Sequence, residues 1–251
     1  MKPFPKVWML VAALLVLCPV MAMATSTASL SDLITNPTNC VAAGDKQFCN
    51  FSFSATPLGE TDITAGGITV TASLLDSTEY LSFTGDMIVT TGAGDSAKSI
   101  DIVLKYTAQT LDDKPLIDGI DQYYQPVHIP STGGKITITE TIAELGWPGM
   151  GGTEIGSSQM SYNYPTDNHQ DPPLTGYIPL TLSGSPTSVS KVYVYKDINI
   201  EANANGSQIG TSILQQSFHQ AGPGSVPEPG TLLLLGVGLS GLGILCRRRN
   251  R

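Results

Sequence analysis

A four-residue motif near the C-terminus carries the residue types that a processing enzyme could recognise. The motif is Val226-Pro227-Glu228-Pro229. Each proline lacks an N–H group and disfavours helix in the residue before it, so the motif should be extended. Extended backbone suits a protease-like cleft, and Glu228 supplies the single charge of the motif. The predicted chemistry is therefore recognition and cleavage of this chain by another enzyme.

Two segments that follow the motif would position it at a membrane. Residues 230–246 are apolar and lie near the lower limit of about 17 residues for a helix that spans the hydrocarbon core. All four arginines of the chain follow, and they are Arg247, Arg248, Arg249 and Arg251. Because Arg-rich flanks resist translocation, we predict a transmembrane helix at 230–246 and a basic cytoplasmic tail at 247–251. Everything before Val226 should then lie outside.

Motif, apolar helix and arginine cluster together resemble the PEP-CTERM sorting signal of Gram-negative bacteria. The resemblance covers only the C-terminal end of the chain. It implies that the partner is an exosortase-like membrane enzyme, which would recognise Val226-Pro227-Glu228-Pro229 and cut near it. It also implies a destination at the cell surface or in the extracellular matrix, in species that build exopolysaccharide or biofilm.

The N-terminus predicts export. Lys2 and Lys6 form a positively charged segment, residues 7–20 an apolar core, and Ala22 and Ala24 a small-x-small cleavage site. We predict a signal peptide at 1–24 that uses the Sec export route, with signal peptidase cutting between Ala24 and Thr25. Lipidation at Cys18 is the less favoured alternative, because Leu17 before it is too large for a typical lipidation box.

Cysteine usage agrees with an oxidising compartment. Cys18 belongs to the predicted signal peptide and Cys246 to the predicted membrane helix, which leaves Cys40 and Cys49 in the exported part. Two cysteines this close outside the cytoplasm predict a disulfide that closes a small loop. A metal site would need further ligands, and no histidine lies within the loop. We therefore predict neither a metal nor a cofactor.

The exported region is strongly acidic. Residues 25–224 hold seven lysines against twenty aspartates and glutamates, a net charge of −13. Nucleic-acid binding needs basic patches, and docking on anionic lipid needs basic segments, so this charge argues against both.

Residues 25–220 predict an all-β domain, joined to the tail by a linker with the sorting motif at 221–229. Segments 135–142 and 191–202 alternate between apolar and polar residues, which is typical of strands that cover a core on one side. Other predicted strands are 47–54, 68–71, 80–83, 87–91, 100–108, 177–182 and 212–218. Around nine strands predict an antiparallel two-sheet β-sandwich. A parallel β-helix is the alternative, although no short internal repeat supports it.

Two long irregular stretches, 111–130 and 143–176, interrupt the predicted strands. Long loops in compact domains are often functional. The second contains Trp147, Tyr162 and Tyr164, whose rings are candidate ligand contacts because aromatic rings stack on sugars. The alternative is that these rings plug the open end of the sandwich.

The chain lacks the sequence signatures of common enzymes. It has no Gly-x-Ser-x-Gly elbow, no His-Glu-x-x-His pair, no phosphate-binding glycine loop and no Cys-x-x-Cys. Its three histidines, His128, His169 and His219, are scattered. We therefore predict no catalytic residue and a protein that is not an enzyme.

Three functions remain for such a chain. The favoured one is a surface or matrix protein, anchored in the inner membrane with a periplasmic domain and then sorted by the exosortase. The alternative is a carbohydrate-binding module or adhesin that binds extracellular polysaccharide. A minor alternative is an ice-binding protein, suggested by the Thr-x-Thr rows at Thr69 and Thr71 and at Thr137, Thr139 and Thr141.

Overall fold

The computed structural model describes residues 25–59, 62–111, 115–129, 133–166 and 176–221. Structural statements below concern these residues. The predicted signal peptide with Ala24, the sorting motif, the transmembrane helix and the arginine tail lie outside them. Within the described ranges, no helix combines the length and the apolar character that a membrane span requires.

The domain consists of two six-stranded sheets in which every neighbouring pair of strands is antiparallel. Sheet A has, in spatial order, β1 (Ser26–Ser29), β4 (Thr69–Leu75), β5 (Thr78–Thr90), β14 (Gln208–Ala221), β7 (Leu116–Ile129) and β10 (Gly176–Pro179). Sheet B has β2 (Val41–Ala43), β3 (Lys46–Leu58), β6 (Lys98–Thr110), β13 (Lys191–Ala202), β8 (Gly134–Glu144) and β9 (Thr153–Tyr164). A two-stranded hairpin joins β11 (Thr181–Leu182) to β12 (Ser185–Pro186), and one short helix, α1, spans Leu30–Thr35. The predicted two-sheet sandwich is confirmed, and the β-helix alternative is wrong.

Alternation along the strands creates one apolar core between the sheets. On β13, Val192, Val194, Ile198 and Ile200 are buried and face sheet A, while Tyr193 and the other odd-numbered residues face outward. Burying one such aliphatic side chain contributes about 1.5–3 kcal/mol. The sequence pattern thus builds the sandwich directly, because each strand has one face to hide and one to leave in water.

Local turn chemistry closes the hairpins. Asp76 and Ser77, between β4 and β5, both have positive φ angles, 49° and 65°. This is the geometry of a two-residue type I′ turn, which matches the twist of the flanking strands. Short polar residues tolerate it better than branched ones, so the Asp-Ser pair fixes the register of the hairpin.

The predicted disulfide is present. Cys40 and Cys49 are joined with an S–S distance of 2.04 Å, and their Cα atoms lie 4.6 Å apart. The bond ties the segment before β2 to β3. A loop of this size contributes about 2–3 kcal/mol by restricting the unfolded chain.

Several predicted boundaries are wrong in an informative way. The predicted irregular stretches 111–130 and 143–176 contain two long strands, β7 and β9. The predicted strands 80–83 and 87–91 are one continuous strand, β5. In β7 and β9, a polar residue at a core-facing position interrupts the alternation between apolar and polar residues. Pairing with the neighbouring strands, and not the local pattern, then decides that the segment is a strand.

Candidate functional sites

A cluster of polar side chains lies in the core between the two sheets. Lys196 on β13 is directly opposite Glu140 on β8, and its Nζ lies 2.6 Å from Glu140 Oε2. Gln216 on β14, in the other sheet, donates a hydrogen bond from Nε2 to Glu140 Oε1. The Lys196 and Glu140 side chains are 1% and 0% exposed. One buried carboxylate therefore holds an amine on one oxygen and a carboxamide on the other.

The cluster extends to one further strand in each sheet, β7 in sheet A and β9 in sheet B. Gln122 on β7 is opposite Gln216, and Ser158 on β9 is opposite Glu140. Gln122 Nε2 donates to Ser158 Oγ at 3.3 Å. Polar side chains from both sheets thus meet across the core, where apolar contacts fill most of the space.

The electrostatics of this buried cluster are unusual. Burial lowers the pKa of the Lys196 amine, and the charge of Glu140 and its hydrogen bond only partly oppose this shift. Burial, followed by the charge of Glu140, raises the pKa of the Tyr106 hydroxyl well above its ordinary value. Three buried oxygens of this cluster have no hydrogen-bond partner among the described residues, and they are Gln216 Oε1, Gln122 Oε1 and Tyr106 Oη. Each such atom costs about 1–3 kcal/mol, so a purely structural role explains the cluster poorly.

A second ionic cluster lies at the edge of the core. Lys46 is fully buried, and its Nζ lies 2.6 Å from Asp45 Oδ1 and 3.7 Å from Glu79 Oε2. Gln220 Nε2 donates to both oxygens of Asp45, at 2.7 and 2.9 Å. Burial raises the pKa of Glu79, and the nearby charge of Lys46 only partly offsets this. Two carboxylates therefore face one ammonium group here.

We expect the substitution Glu79→Gln to change the dependence of stability on pH. Because the folded-state pKa of Glu79 lies above its ordinary value of 4.5, the folded state binds this proton more tightly than the unfolded state. The stability that Glu79 contributes is fully present below the unfolded pKa and is lost as pH rises through the folded pKa. Urea unfolding between about pH 4 and about pH 7 should therefore show the parent losing stability relative to the variant. Glu201→Gln, at an exposed position, is the control. If the stability of the parent rises relative to that of the Glu79 variant as pH rises, the expectation is contradicted.

The outer face of sheet A carries a serine, a histidine and an aspartate in contact. Asp121 Oδ2 lies 2.7 Å from His219 Nε2 and accepts a hydrogen bond from Ser217 Oγ at 3.2 Å. These are the residue types of a hydrolytic triad, but here the carboxylate lies between the other two. A triad needs the imidazole between serine and carboxylate so that it can take the serine proton. The contact therefore does not activate Ser217.

Tyrosines surround this contact on the same outer face. Tyr177 on β10 is opposite Asp121, is 54% exposed and meets the His219 ring edge-on at 5.2 Å between centroids. A Cβ on Gly119 would lie 2.4 Å from the Tyr177 ring, so glycine is needed for the ring to lie across β7. Partial burial, then the charges of Asp118 and Asp121, raise the pKa of the Tyr177 hydroxyl.

Two further tyrosines complete a polar aromatic surface. Tyr80 is opposite Ser217, and Tyr123 is opposite Gln215, which donates to Ser82 Oγ at 2.9 Å. We call the surface formed by Tyr80, Tyr123, Tyr177, Asp121, Gln215 and His219 the tyrosine face. Beside Tyr177, an open groove of about 460 Å³ runs between β9 and β10 and is lined by Glu154, Ser157, Ile178 and Thr181. Flat rings next to amide and carboxylate groups can stack on and hydrogen-bond a sugar chain.

The outer face of sheet B has a different character. The Trp147 ring meets the Tyr193 ring edge-on at 5.1 Å. Lys191 Nζ lies 5.1 Å above the Tyr193 ring, and Lys105 Nζ lies 5.2 Å above the Tyr195 ring. Because ammonium groups cover these tyrosine rings, they are less available to stack on a ligand.

A pair of carboxyl groups also lies on this outer face. Burial, then a hydrogen bond with Asp101 and the charge of Asp101, raise the pKa of Asp197. Asp101 on β6 and Asp197 on β13 lie on adjacent strands, two register positions apart.

The structure separates the predicted ligand contacts. Tyr162 is 4% exposed and belongs to the core, so its ring cannot reach a ligand. Tyr164 is half-buried against that core, and Trp147 is half-buried on a turn next to Tyr193. The reason is that Tyr162 and Tyr164 stand on β9, where alternate residues face inward. Among the histidines, His219 contacts Asp121, while His169 lies outside the described residues.

The buried cluster was missed in the sequence, although the sequence contains a signal for it. Glu140 stands between Ile138 and Ile142, and Lys196 between Val194 and Ile198, each at an inward position of an alternating strand. Gln216 likewise stands at an inward position of β14, between Leu214 and Phe218. Charged residues are rarely buried unless paired, so opposite charges at inward positions of two strands predict a buried pair.

The comparisons with known proteins agree with the sequence at the C-terminal end. A family model described as the PEP-CTERM protein-sorting motif matches residues 225–249. The predicted resemblance is confirmed, and the chain carries this sorting motif, which implies export directed to an exosortase. The comparison with curated proteins finds no match.

Solved structures with some likeness are β-proteins. TmCBM61 in complex with β-1,4-galactotriose has 6% identity, with 65% of this chain and 86% of that chain covered, at a TM-score of 0.29. A structure of carbohydrate-binding modules from the β-sandwich superfamily has 12% identity, with 76% and 56% covered, at 0.26. The family 11 xylanase from Neocallimastix patriciarum has 10% identity, with 67% and 100% covered, at 0.21. Scores this low carry no argument about ligand or activity.

Proposed function

We propose that this chain is a non-enzymatic surface or matrix protein, exported, anchored by residues 230–246 and then processed by an exosortase-like enzyme. The observation that carries the proposal is the sorting motif at 225–249. Association with exopolysaccharide or biofilm is part of the same proposal. The signal peptide at 1–24 and cleavage between Ala24 and Thr25 belong to the same proposal.

The geometry of the described domain supports a non-catalytic role. The serine, histidine and aspartate contact has the wrong order for nucleophilic attack. Within the described ranges, no group of three histidine, cysteine, aspartate or glutamate residues could hold a metal ion. What remains is a rigid sandwich with a disulfide, suited to an exposed location.

Loss of the sorting motif should block C-terminal processing without blocking export. We expect this result from Glu228→Ala and from deletion of residues 247–251, because the first removes the charge of the motif and the second removes the cytoplasmic stop. The measurement is the intact mass of the exported protein in a host with and without an exosortase. Glu201→Ala, in the exposed part of the sandwich, is the matched control and should be processed normally. An unchanged mature mass in both tail variants contradicts the proposal.

Carbohydrate binding is a second candidate function, and the tyrosine face favours it. Fully burying an aromatic side chain contributes about 1.5–3 kcal/mol, so Tyr177→Ala or Tyr123→Ala should each weaken binding about tenfold or more. The measurement is retention of the exported protein on exopolysaccharide from the native organism. Tyr193→Ala, on the outer face of sheet B, is the control and should bind like the parent. If the parent shows no retention on native polysaccharide, this second function is excluded.

The threonine rows do not support ice binding. Thr69 and Thr71 lie on the outer face of sheet A, whereas Thr137, Thr139 and Thr141 lie on that of sheet B. The two rows therefore face opposite sides of the sandwich and cannot form one flat surface. Thermal hysteresis in a solution of the purified protein would reverse this conclusion.

A further inference from the structure

We propose that Lys196 and Gln216 become joined by an isopeptide bond that forms within the folded protein, with Glu140 as the group that transfers the protons. The bond would link Lys196 Nζ on sheet B to Gln216 Cδ on sheet A and release ammonia. This inference goes beyond the proposed function and is independent of the sorting motif.

The geometry supplies the three groups that the reaction needs. Glu140 Oε2 lies 2.6 Å from the Lys196 amine, and Glu140 Oε1 accepts the hydrogen bond of the Gln216 amide nitrogen. Because the two oxygens belong to one carboxylate, the nucleophile and the leaving group are held side by side. Holding reacting groups in this way removes most of the entropic cost of bringing them together.

The surroundings favour the reactive forms. The site is closed to solvent, and burial lowers the pKa of the Lys196 amine, which increases the neutral, nucleophilic fraction. Gln216 Oε1 is buried with no hydrogen-bond partner. The Tyr106 hydroxyl is also buried without a partner, and it lies near enough to Glu140 for that charge to raise its pKa.

The proposed reaction balances without any oxidant or cofactor. Transfer of a proton from the Lys196 ammonium to Glu140 gives a neutral amine and a neutral carboxylic acid. The amine lone pair attacks Gln216 Cδ, the Nζ–Cδ bond forms, and the carbonyl electron pair moves to Oε1. Glu140 donates its proton to Gln216 Nε2 and takes one proton from Nζ, the Cδ–Nε2 bond breaks, and ammonia leaves as the carbonyl re-forms. Glu140 ends as a neutral carboxylic acid, which holds the proton that Lys196 Nζ gave up.

The second ionic cluster provides a contrast within the same molecule. Asp45 also bridges an amine, that of Lys46, and a carboxamide, that of Gln220. Lys46 Nζ, however, has Glu79 within 3.7 Å as a second carboxylate, and the Asp45 side chain is 16% exposed. Solvent therefore reaches the Asp45 carboxylate, whereas the Glu140 carboxylate is fully buried. We therefore place the bond at Lys196 and not at Lys46.

The bond would serve an exported protein. It joins β13, in the middle of sheet B, to β14, in the middle of sheet A. The two sheets could not then separate when the non-covalent core opens. A covalent link of this kind resists unfolding by force and by proteases in the same way as a disulfide, but it is insensitive to reductants.

The test is the mass of the full chain, exported in a Gram-negative host, extracted with detergent, reduced and denatured. We expect the protein to be lighter, by one ammonia, than the sequence that remains after removal of the signal peptide. Trypsin should fail to cut after Lys196, and fragmentation of the peptide that begins at Val192 should show Lys196 joined to Gln216. Glu140→Gln, Lys196→Arg and Gln216→Met should each restore the full mass. Gln215→Ala, on the outer face of the same strand, should keep the deficit.

The parent protein decides the outcome even if a variant fails to fold. A parent with the full mass of its free side chains, cut normally after Lys196, overturns the proposal. So does a deficit of one water, which would place the bond on Glu140, or a link from Lys196 to Gln122. Retention of the ammonia deficit in Glu140→Gln would remove the role of Glu140 as the proton carrier.

Discussion

Glu140→Ala should lower the free energy of unfolding by about 3–5 kcal/mol, because it leaves the Lys196 amine buried without its carboxylate. The substitution also removes the acceptor of the Gln216 hydrogen bond. Loss of the proposed isopeptide bond would add to the effect. The measurement is guanidinium unfolding of the purified protein, followed by circular dichroism.

The pH dependence of this variant identifies the cause. Without Glu140, the folded-state pKa of Lys196 should fall further below its ordinary value of 10.5. The unfolded state then binds more protons than the folded state, so the stability of the variant rises with pH. The difference in the free energy of unfolding between the parent and the variant should therefore become smaller between about pH 7 and about pH 10. If this difference is constant over the same pH range, lost packing, and not the unpaired amine, causes the loss of stability.

Two control variants separate the buried charge from the cavity. Glu154→Ala, at an exposed position on β9, should change stability by no more than about 0.5 kcal/mol. The double variant Glu140→Leu with Lys196→Met removes both charges and should recover most of the loss seen in Glu140→Ala. If the double variant is as unstable as the single one, the unpaired amine is not the source of the effect.

Phe83→Ala should destabilise the protein by about 3–5 kcal/mol, the usual effect of removing a fully buried phenylalanine. Phe83 on sheet A packs between two rings of sheet B, with its centroid 6.3 Å from that of Phe51 and 5.6 Å from that of Tyr106. Phe51 and Tyr106 stack on each other at 5.8 Å. Alanine would leave a cavity where the two sheets meet.

Graded substitutions test this explanation. Phe83→Leu keeps most of the volume and should cost less than about 1.5 kcal/mol, whereas Thr84→Ala, the exposed neighbour on β5, should be nearly neutral. Guanidinium midpoints of the three variants give the comparison. An equal loss for leucine and alanine would mean that the ring–ring contacts, and not the filled volume, hold the sheets together.

The sequence contained enough to predict the C-terminal sorting motif and the class of the fold. The sorting motif at 225–249 is a local signal whose parts follow one another in order. The sandwich follows from period-two alternation, which is also local, and the segment predicted at 191–202 is β13 with the same bounds. The disulfide could be predicted because the predicted signal peptide and membrane helix contain the other two cysteines and leave Cys40 and Cys49 to pair.

The strands β7 and β9 could not be predicted because their alternation is imperfect. Gln122 on β7 and Ser158 on β9 are polar residues on the core-facing side. A polar residue faces a core only when a partner from another strand satisfies it. That partner is distant in sequence, so no local pattern reveals it.

The sequence by itself determined that the chain carries a sorting motif and that its middle folds as two sheets, because both depend on the order and period of neighbouring residues. Only the tertiary structure decided that Lys196, Glu140 and Gln216 meet in the core and that Tyr80, Tyr123 and Tyr177 share one outer face. These groups come from strands far apart along the chain, and their contacts depend on strand order and register. Long-range pairing, which buries one face of every strand at once, fixes both.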